Sequence, residues 1–105
     1  MGNKWNGIIK KYNTDKLLIF MCNLVYGKLC GRGKEYNQFG CMIFDGKYLD
    51  GKRNGSGREY DENIQLIFEG EYLYGHKKKG KIFKNGQLIY EGKFLPIEES
   101  EKKRI

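Results

Sequence analysis

The sequence predicts an all-β chain folded as one antiparallel hairpin meander of about eight strands, and three observations predict it. Its 105 residues include 15 glycines and 8 tyrosines beside one proline and one tryptophan, a usage that favours short strands joined by glycine turns over packed helices. An isoleucine-aromatic pair recurs at Ile19-Phe20, Ile43-Phe44, Ile67-Phe68 and Ile89-Tyr90, at spacings of 24, 24 and 22 residues, and self-similarity on this scale signals a repeat architecture. Within one copy, Phe44, Gly46 and Tyr48 fall on one face and Ile43, Asp45, Lys47 and Leu49 on the other, the period-two alternation of a strand in an antiparallel sheet.

The elements follow in order within a repeat domain spanning residues 1 to 97. A partial copy over residues 5 to 18 keeps only a closing half, in which Asn6, Gly7 and Tyr12 match Asn54, Gly55 and Tyr60. Copies at 19 to 42, 43 to 66 and 67 to 88 come next, and a partial copy at 89 to 97 holds Tyr90, Gly92 and Phe94 before stopping at Pro96. The third copy matches the second once a residue is dropped between Gly75 and Gly80. In each copy a first strand is expected to run to about Leu49. Asp50 to Gly57, with its three glycines, then turns the chain, and Gly57 to Asp61 returns it. Asn85-Gly86 supplies the two positive φ angles of a type I′ hairpin, and Asn13 to Lys16, Asn37 to Gly40 and Asp61 to Ile64 fill the same slot with longer loops. Glycine weakens a strand unless its bare backbone is needed. The aromatics two residues from Gly46, Gly70 and Gly92 therefore suggest rings lying over that backbone. The first copy departs from the rest: Cys22 replaces the glycine, Leu24 the aromatic, and Leu29-Cys30 the polar turn residues. Greater burial and contact with a partner are both open for it. Residues 98 to 105 form a charged tail, open to reading as a short covering helix or a frayed end.

A family resemblance rests on these residues. An aromatic, an acidic residue and a glycine, then an aromatic two residues on, then Gly-Lys/Arg-x-Asn-Gly-x-Gly and a further aromatic resembles the MORN repeat, with Phe44 to Tyr60 matching throughout and Phe68 to Phe83 nearly so. The resemblance implies an elongated single-sheet solenoid of stacked hairpins. It also implies a scaffold or interaction module, without catalysis of its own and sometimes dimeric or near membranes; some bacterial relatives are labelled antitoxins, again binders of a partner.

Composition and motifs argue against several other classes. The length suits one domain. Lys and Arg outnumber Asp and Glu by 20 to 13, a formal charge of +7, which attracts acidic surfaces without naming one. Cys22, Cys30 and Cys41 have no Cys-x-x-Cys spacing, so neither a disulfide framework nor a zinc site is suggested. A reducing, cytoplasmic setting fits best. The longest apolar run, Leu17 to Cys22, suits a buried strand and is far short of a membrane span. His76, the one histidine, sits in a lysine-rich turn and reads as a solvated loop residue. Ser56, Ser100 and Thr14 sit in no nucleophile elbow. Asp45, Glu69 and Glu91 each follow the aromatic of their own copy, so periodicity explains them better than acid/base catalysis; they are expected to pair with lysines such as Lys47 and Lys93. Gly31-x-Gly33 and Gly55-x-Gly57 lack the third glycine and the helix of a nucleotide loop. No catalytic residue, metal or cofactor is assigned.

What remains is binding. The expected partner-binding residues are Phe44, Tyr48, Tyr60, Phe68, Tyr72, Phe83, Tyr90 and Phe94, lining an aromatic, glycine-rich sheet face offered to a protein. An alternative is a peripheral membrane module that meets anionic phospholipids through a basic edge of Lys77, Lys78, Lys79, Lys81 and Lys84. The bland reading of those lysines is a solvated hairpin tip, and nucleic acid is the least favoured partner because the aromatics are periodic and paired with glycine. A homodimer, if formed, is expected through the N-terminal edge near Gly7 to Tyr12, which has fewer guards than the edge followed by Pro96.

Overall fold

The computed structural model describes residues 7 to 26 and 28 to 94; Trp5, Pro96 and the tail at 98 to 105 lie outside them. Eight strands occur: β1 (Gly7–Tyr12), β2 (Leu18–Val25), β3 (Lys28–Tyr36), β4 (Met42–Leu49), β5 (Lys52–Tyr60), β6 (Leu66–Leu73), β7 (His76–Lys84) and β8 (Gln87–Lys93). They form one open sheet in chain order, each antiparallel to the next, with β1 and β8 at its edges. The meander is as expected from the alternating pattern, and no helix occurs among the described residues.

Two kinds of turn make the two margins of the sheet. On one margin a side-chain cap repeats every 24 residues. Asn13 Oδ1 accepts the amides of Asp15 and Leu17, Asn37 Oδ1 those of Phe39 and Cys41, and Asp61 Oδ1 those of Asn63 and Gln65. Short polar side chains suit this role because they replace backbone partners that a turn leaves open. The fourth turn on this margin is Asn85-Gly86, with φ of +53° and +79°, the expected type I′ geometry. On the opposite margin the turns are equally tight, and here the sequence reading is corrected. The chain reverses within Asp50-Gly51, at φ of +53° and +82°, and β5 begins at Lys52; the segment to Gly57 is strand. Gly55, at φ +100°, absorbs a bulge inside β5, so the three glycines serve a turn, a bulge and a close contact instead of one loop.

The register explains the glycines. Ile9, Cys22, Gly33, Gly46, Gly57, Gly70, Gly80 and Gly92 lie opposite one another across all eight strands, so one rung of the sheet is almost bare backbone. Rings fill it. A Cβ at Gly46 would stand 2.7 Å from Phe44 Cζ and one at Gly57 2.7 Å from the same ring and 3.1 Å from Tyr72. The rings touch edge to face in an unbroken series, Phe20 to Tyr48 at 5.3 Å, Tyr48 to Phe44 at 5.7 Å, Phe44 to Tyr72 at 5.3 Å, Tyr72 to Phe68 at 5.4 Å and Phe68 to Phe94 at 5.7 Å. Such contacts add about 0.5 to 1.5 kcal/mol each beyond the area they bury. Phe44 and Phe68 are 0% and 1% exposed although the described residues form a single layer. Cys22 belongs to this core too, which places that residue of the divergent first copy inside. We call this side of the sheet the inner face.

A methyl group at Gly57 has no room, whereas one at Gly7, where nothing lies within 4 Å, is unopposed. Gly57→Ala is expected to lower the unfolding free energy by about 1 to 3 kcal/mol and Gly7→Ala to leave it within about 0.5 kcal/mol, as read from urea denaturation.

Candidate functional site

The inner rings are roofed by charge. Beside the glycine rung runs a second inner row, Lys11, Phe20, Glu35, Phe44, Glu59, Phe68, Ile82 and Tyr90. From β5, Arg53 lies over the Phe44 ring at 4.0 Å and donates two hydrogen bonds of 2.9 Å to Glu35 and one of 2.8 Å to Glu59. The Tyr48 hydroxyl donates to Glu35, and the Tyr72 hydroxyl to Glu59 at 2.7 Å. One copy later Lys77 repeats the role of Arg53, 4.9 Å above Phe68 and 3.4 Å from Glu59. A planar guanidinium suits the double site because it can stack on a ring while its edge serves two carboxylates.

The hydroxyl and the carboxylate occur together. Glu35 pairs with Tyr48 and Glu59 with Tyr72. Where Ile82 replaces the glutamate, Phe94 stands in the tyrosine position, and where Lys11 replaces it, Leu24 does. A half-buried donor without its acceptor would carry a desolvation cost with nothing to offset it. Burial pushes the Glu35 carboxyl up, but the hydrogen bonds from Arg53 and Tyr48 and the Arg53 charge outweigh it and hold the group below its ordinary value. Burial, then the bonded glutamates, push the Tyr48 and Tyr72 hydroxyls far above theirs.

Several expected site residues are relocated by this geometry. Phe44, Tyr48, Phe68 and Tyr72 are brought together, but as a buried core, so their rings present no surface to a partner. Phe94 packs half-buried against that core, and Tyr90 lies on the edge strand at 43% exposure. Tyr60 and Phe83 belong to the opposite, outer face. They directly follow the inward Glu59 and Ile82, and side chains alternate along a strand; Glu69 first, and then the Tyr60 hydroxyl, raise the outward Arg58 above its ordinary value. The chain matches no protein-family model, no curated protein and no solved structure. What it can bind is therefore read from its surfaces.

The expected basic edge is also divided. β7 lies between β6 and β8, and alternation splits its lysines. Lys77 is inward; Lys79 and Lys81 are outward, opposite Glu71 and Glu69 respectively. Lys84 stands at the hairpin end opposite Gln87, and the Lys78 carbonyl accepts the Phe94 amide. Asp45 and Glu69 pair with arginines instead of the expected lysines: Arg32 lies 3.4 Å from Asp45, and Arg58 2.9 Å from Glu69. The shallow trough over β6 to β8, about 400 Å³ in volume, is lined by Glu69, Glu71, Glu91, Lys79, Lys81 and Lys93 with glycines between, an equal mixture of signs. His76 and Ser56 are exposed. Among the described residues no group of three His, Cys, Asp or Glu is arranged to hold a metal ion, and no helix is long and apolar enough to cross a membrane.

The outer face carries a feature that escaped the sequence reading. At each capped margin a bulge sets an isoleucine beside a cross-strand pair. The pairs are Tyr12 with Leu18, Tyr36 with Met42, Tyr60 with Leu66 and Phe83 with Leu88, and the bulged residues are Ile19, Ile43, Ile67 and Ile89. Twelve apolar side chains thus form one outward strip along the whole sheet, and each of them is part-exposed or exposed. The adjoining turns add Phe39, 76% exposed, and Ile64, 58% exposed and held at φ +63°, a conformation that β-branched residues avoid. The signal was present in the sequence as the recurring isoleucine, which alternation already sets opposite Phe44 at Ile43; only the bulge brings it beside the cross-strand pair.

The inner network has a defined pH response. A carboxyl held low contributes stability that is present above its ordinary pKa and lost as pH falls through the lowered one. A phenol held high contributes stability that is present below its ordinary pKa and lost as pH rises beyond it. Urea midpoints are therefore expected to fall on both sides, with the acid limb flattened in Glu35→Gln and the alkaline limb flattened in Tyr72→Phe. At neutral pH, Arg53→Met is expected to lose about 2 kcal/mol by stranding Glu35 and Glu59.

Proposed function

We propose that this chain is a non-enzymatic interaction module of MORN type, and that it docks on a protein partner through the outer face of its sheet. The observation that carries the reading is the contrast between the faces. Inward rings are sealed beneath Arg53, Lys77 and two glutamates, whereas the outward Tyr-Ile strip has nothing of the described chain laid over it. Contiguous exposed apolar patches of this extent mark binding surfaces. The strip is flanked by charged rungs, so it has the apolar centre and polar border of a protein interface. The MORN resemblance supports the same class of function through the matched residues Phe44 to Tyr60 and the 24-residue period. Stacked tips add to it, since Asn54 Oδ1 accepts the Tyr74 amide at 2.9 Å and the Arg53 carbonyl the Gly75 amide at 2.8 Å, tying the β4-β5 hairpin to the β6-β7 hairpin. A cytoplasmic setting fits the cysteine usage.

The test compares the faces. Ile43→Lys on the outer face is expected to abolish capture of a protein partner from the source cells without changing the melting temperature, while Lys77→Gln on the inner face retains capture. Loss with Lys77→Gln and retention with Ile43→Lys would sink the outer-face reading.

A further inference from the structure

We propose that the partner for the outer face is a second copy of this chain, stacked face to face about a two-fold axis that runs parallel to the strands between β4 and β5. The proposal rests on the outer face being the docking surface and adds the identity and geometry of what covers it.

Symmetry applied to the observed rungs sets the geometry. A two-fold along the strands keeps every residue at its height on the strand and exchanges β4 with β5 and β3 with β6. Each apolar strip therefore meets the strip of the other copy, and aromatic meets aliphatic: Ile43 faces Tyr60, and Ile67 faces Tyr36. The charged rung makes the stronger case. Lys34, Asp45, Arg58, Glu69, Lys81 and Glu91 alternate in sign from strand to strand. Exchange about a gap between neighbouring strands turns such a row into its own complement. Lys34 meets Glu69 of the other copy, Asp45 meets Arg58, and in the next rung Arg32 meets Glu71. Lys81 falls on Met21 and Lys79 on Asn23, so no like charges oppose each other, in a chain whose formal charge is +7.

Other observations agree. The sheet lies within an envelope of 48 × 34 × 22 Å, whose broad face exceeds the about 800 Å² that each partner contributes to a standard interface. Sheets stack about 10 Å apart, close enough for the isoleucines and tyrosines of two copies to interdigitate. Because the contact is isologous, the outer face is used up in a closed dimer.

Lys34 and Glu69 are three strands apart within one chain, roughly 14 Å by strand spacing, so they can interact only between copies. Sedimentation equilibrium of the full chain should show a monomer-dimer equilibrium. Lys34→Glu and Glu69→Lys should each weaken it by about tenfold or more, while circular dichroism and melting stay close to wild type. An equimolar mixture of these two variants should recover wild-type association, because every reversed charge then faces its opposite. Ile67→Lys should be monomeric. A wild-type chain that sediments as a monomer throughout overturns the proposal, with the outer-face reading then decided separately by the capture experiment. A dimer indifferent to both reversals, or single variants that weaken association but do not recover on mixing, overturns it as well.

Discussion

A one-layer sheet has no opposing layer to bury its apolar side, so its rings must be buried by the sheet itself. Here that constraint is met by a rung of glycine across six consecutive strands, flanked by Ile9 and Cys22. With no Cβ in the way, Phe44 and Phe68 lie against backbone and make the close contacts that a packed core needs. Each ring crosses from its own strand toward the glycines of its neighbours and touches the ring of the adjoining copy edge to face. The glycine rung thus couples one hairpin to the next, which gives the stack its cooperativity.

Rings lying flat need covering from above, and the Arg53-Glu35-Glu59 network is what covers them. It is neither a simple surface ion pair nor a fully buried one. The guanidinium desolvates on one side against Phe44 and keeps its hydrogen bonds at the edge, a position in which charge-assisted bonds count for more than on an open surface. The paired presence of glutamate and tyrosine, and their paired absence at Ile82 with Phe94 and at Lys11 with Leu24, indicates that the roof acts as a unit. Toward the two ends of the sheet the roof changes to apolar packing or to Lys11 over Phe20.

The same register produces the outer face. Once phenylalanine is committed inward by the glycine rung, alternation sends its isoleucine neighbour outward, and the bulge beside each capped turn places it next to Tyr36 or Tyr60. The apolar strip is therefore a by-product of the inner packing in position, but not in composition: lysine or threonine would satisfy the strand at Ile43 or Ile67. The alternating charge of Lys34, Asp45, Arg58 and Glu69 follows from cross-strand pairing within one copy, and makes the face complementary to itself as a consequence.

Period and alternation determined the strand order by themselves, because hairpins joined by short turns can only pair with their sequence neighbours. The type I′ turn at Asn85-Gly86 and the Asn13, Asn37 and Asp61 turns were equally legible, since each is fixed by local chemistry. So was the overlay of rings on strand glycines. The site was much less legible. Phe44, Tyr48, Phe68 and Tyr72 look alike whether a ring is buried or presented, and only the arrival of Arg53 and Lys77 from neighbouring strands decides that they are covered. Glu35 and Glu59 carry the 24-residue period that could have marked them, but their partners lie 13 and 18 residues away. Alternation set Ile43 opposite Phe44, but the outward face of Tyr60 and Phe83 came only with the pairing that turns Glu59 and Ile82 inward, because a shift of one residue in register reverses every side chain beyond it. Sequence fixes which residues repeat; register, a property of paired strands, decides which side of the sheet each repeat faces.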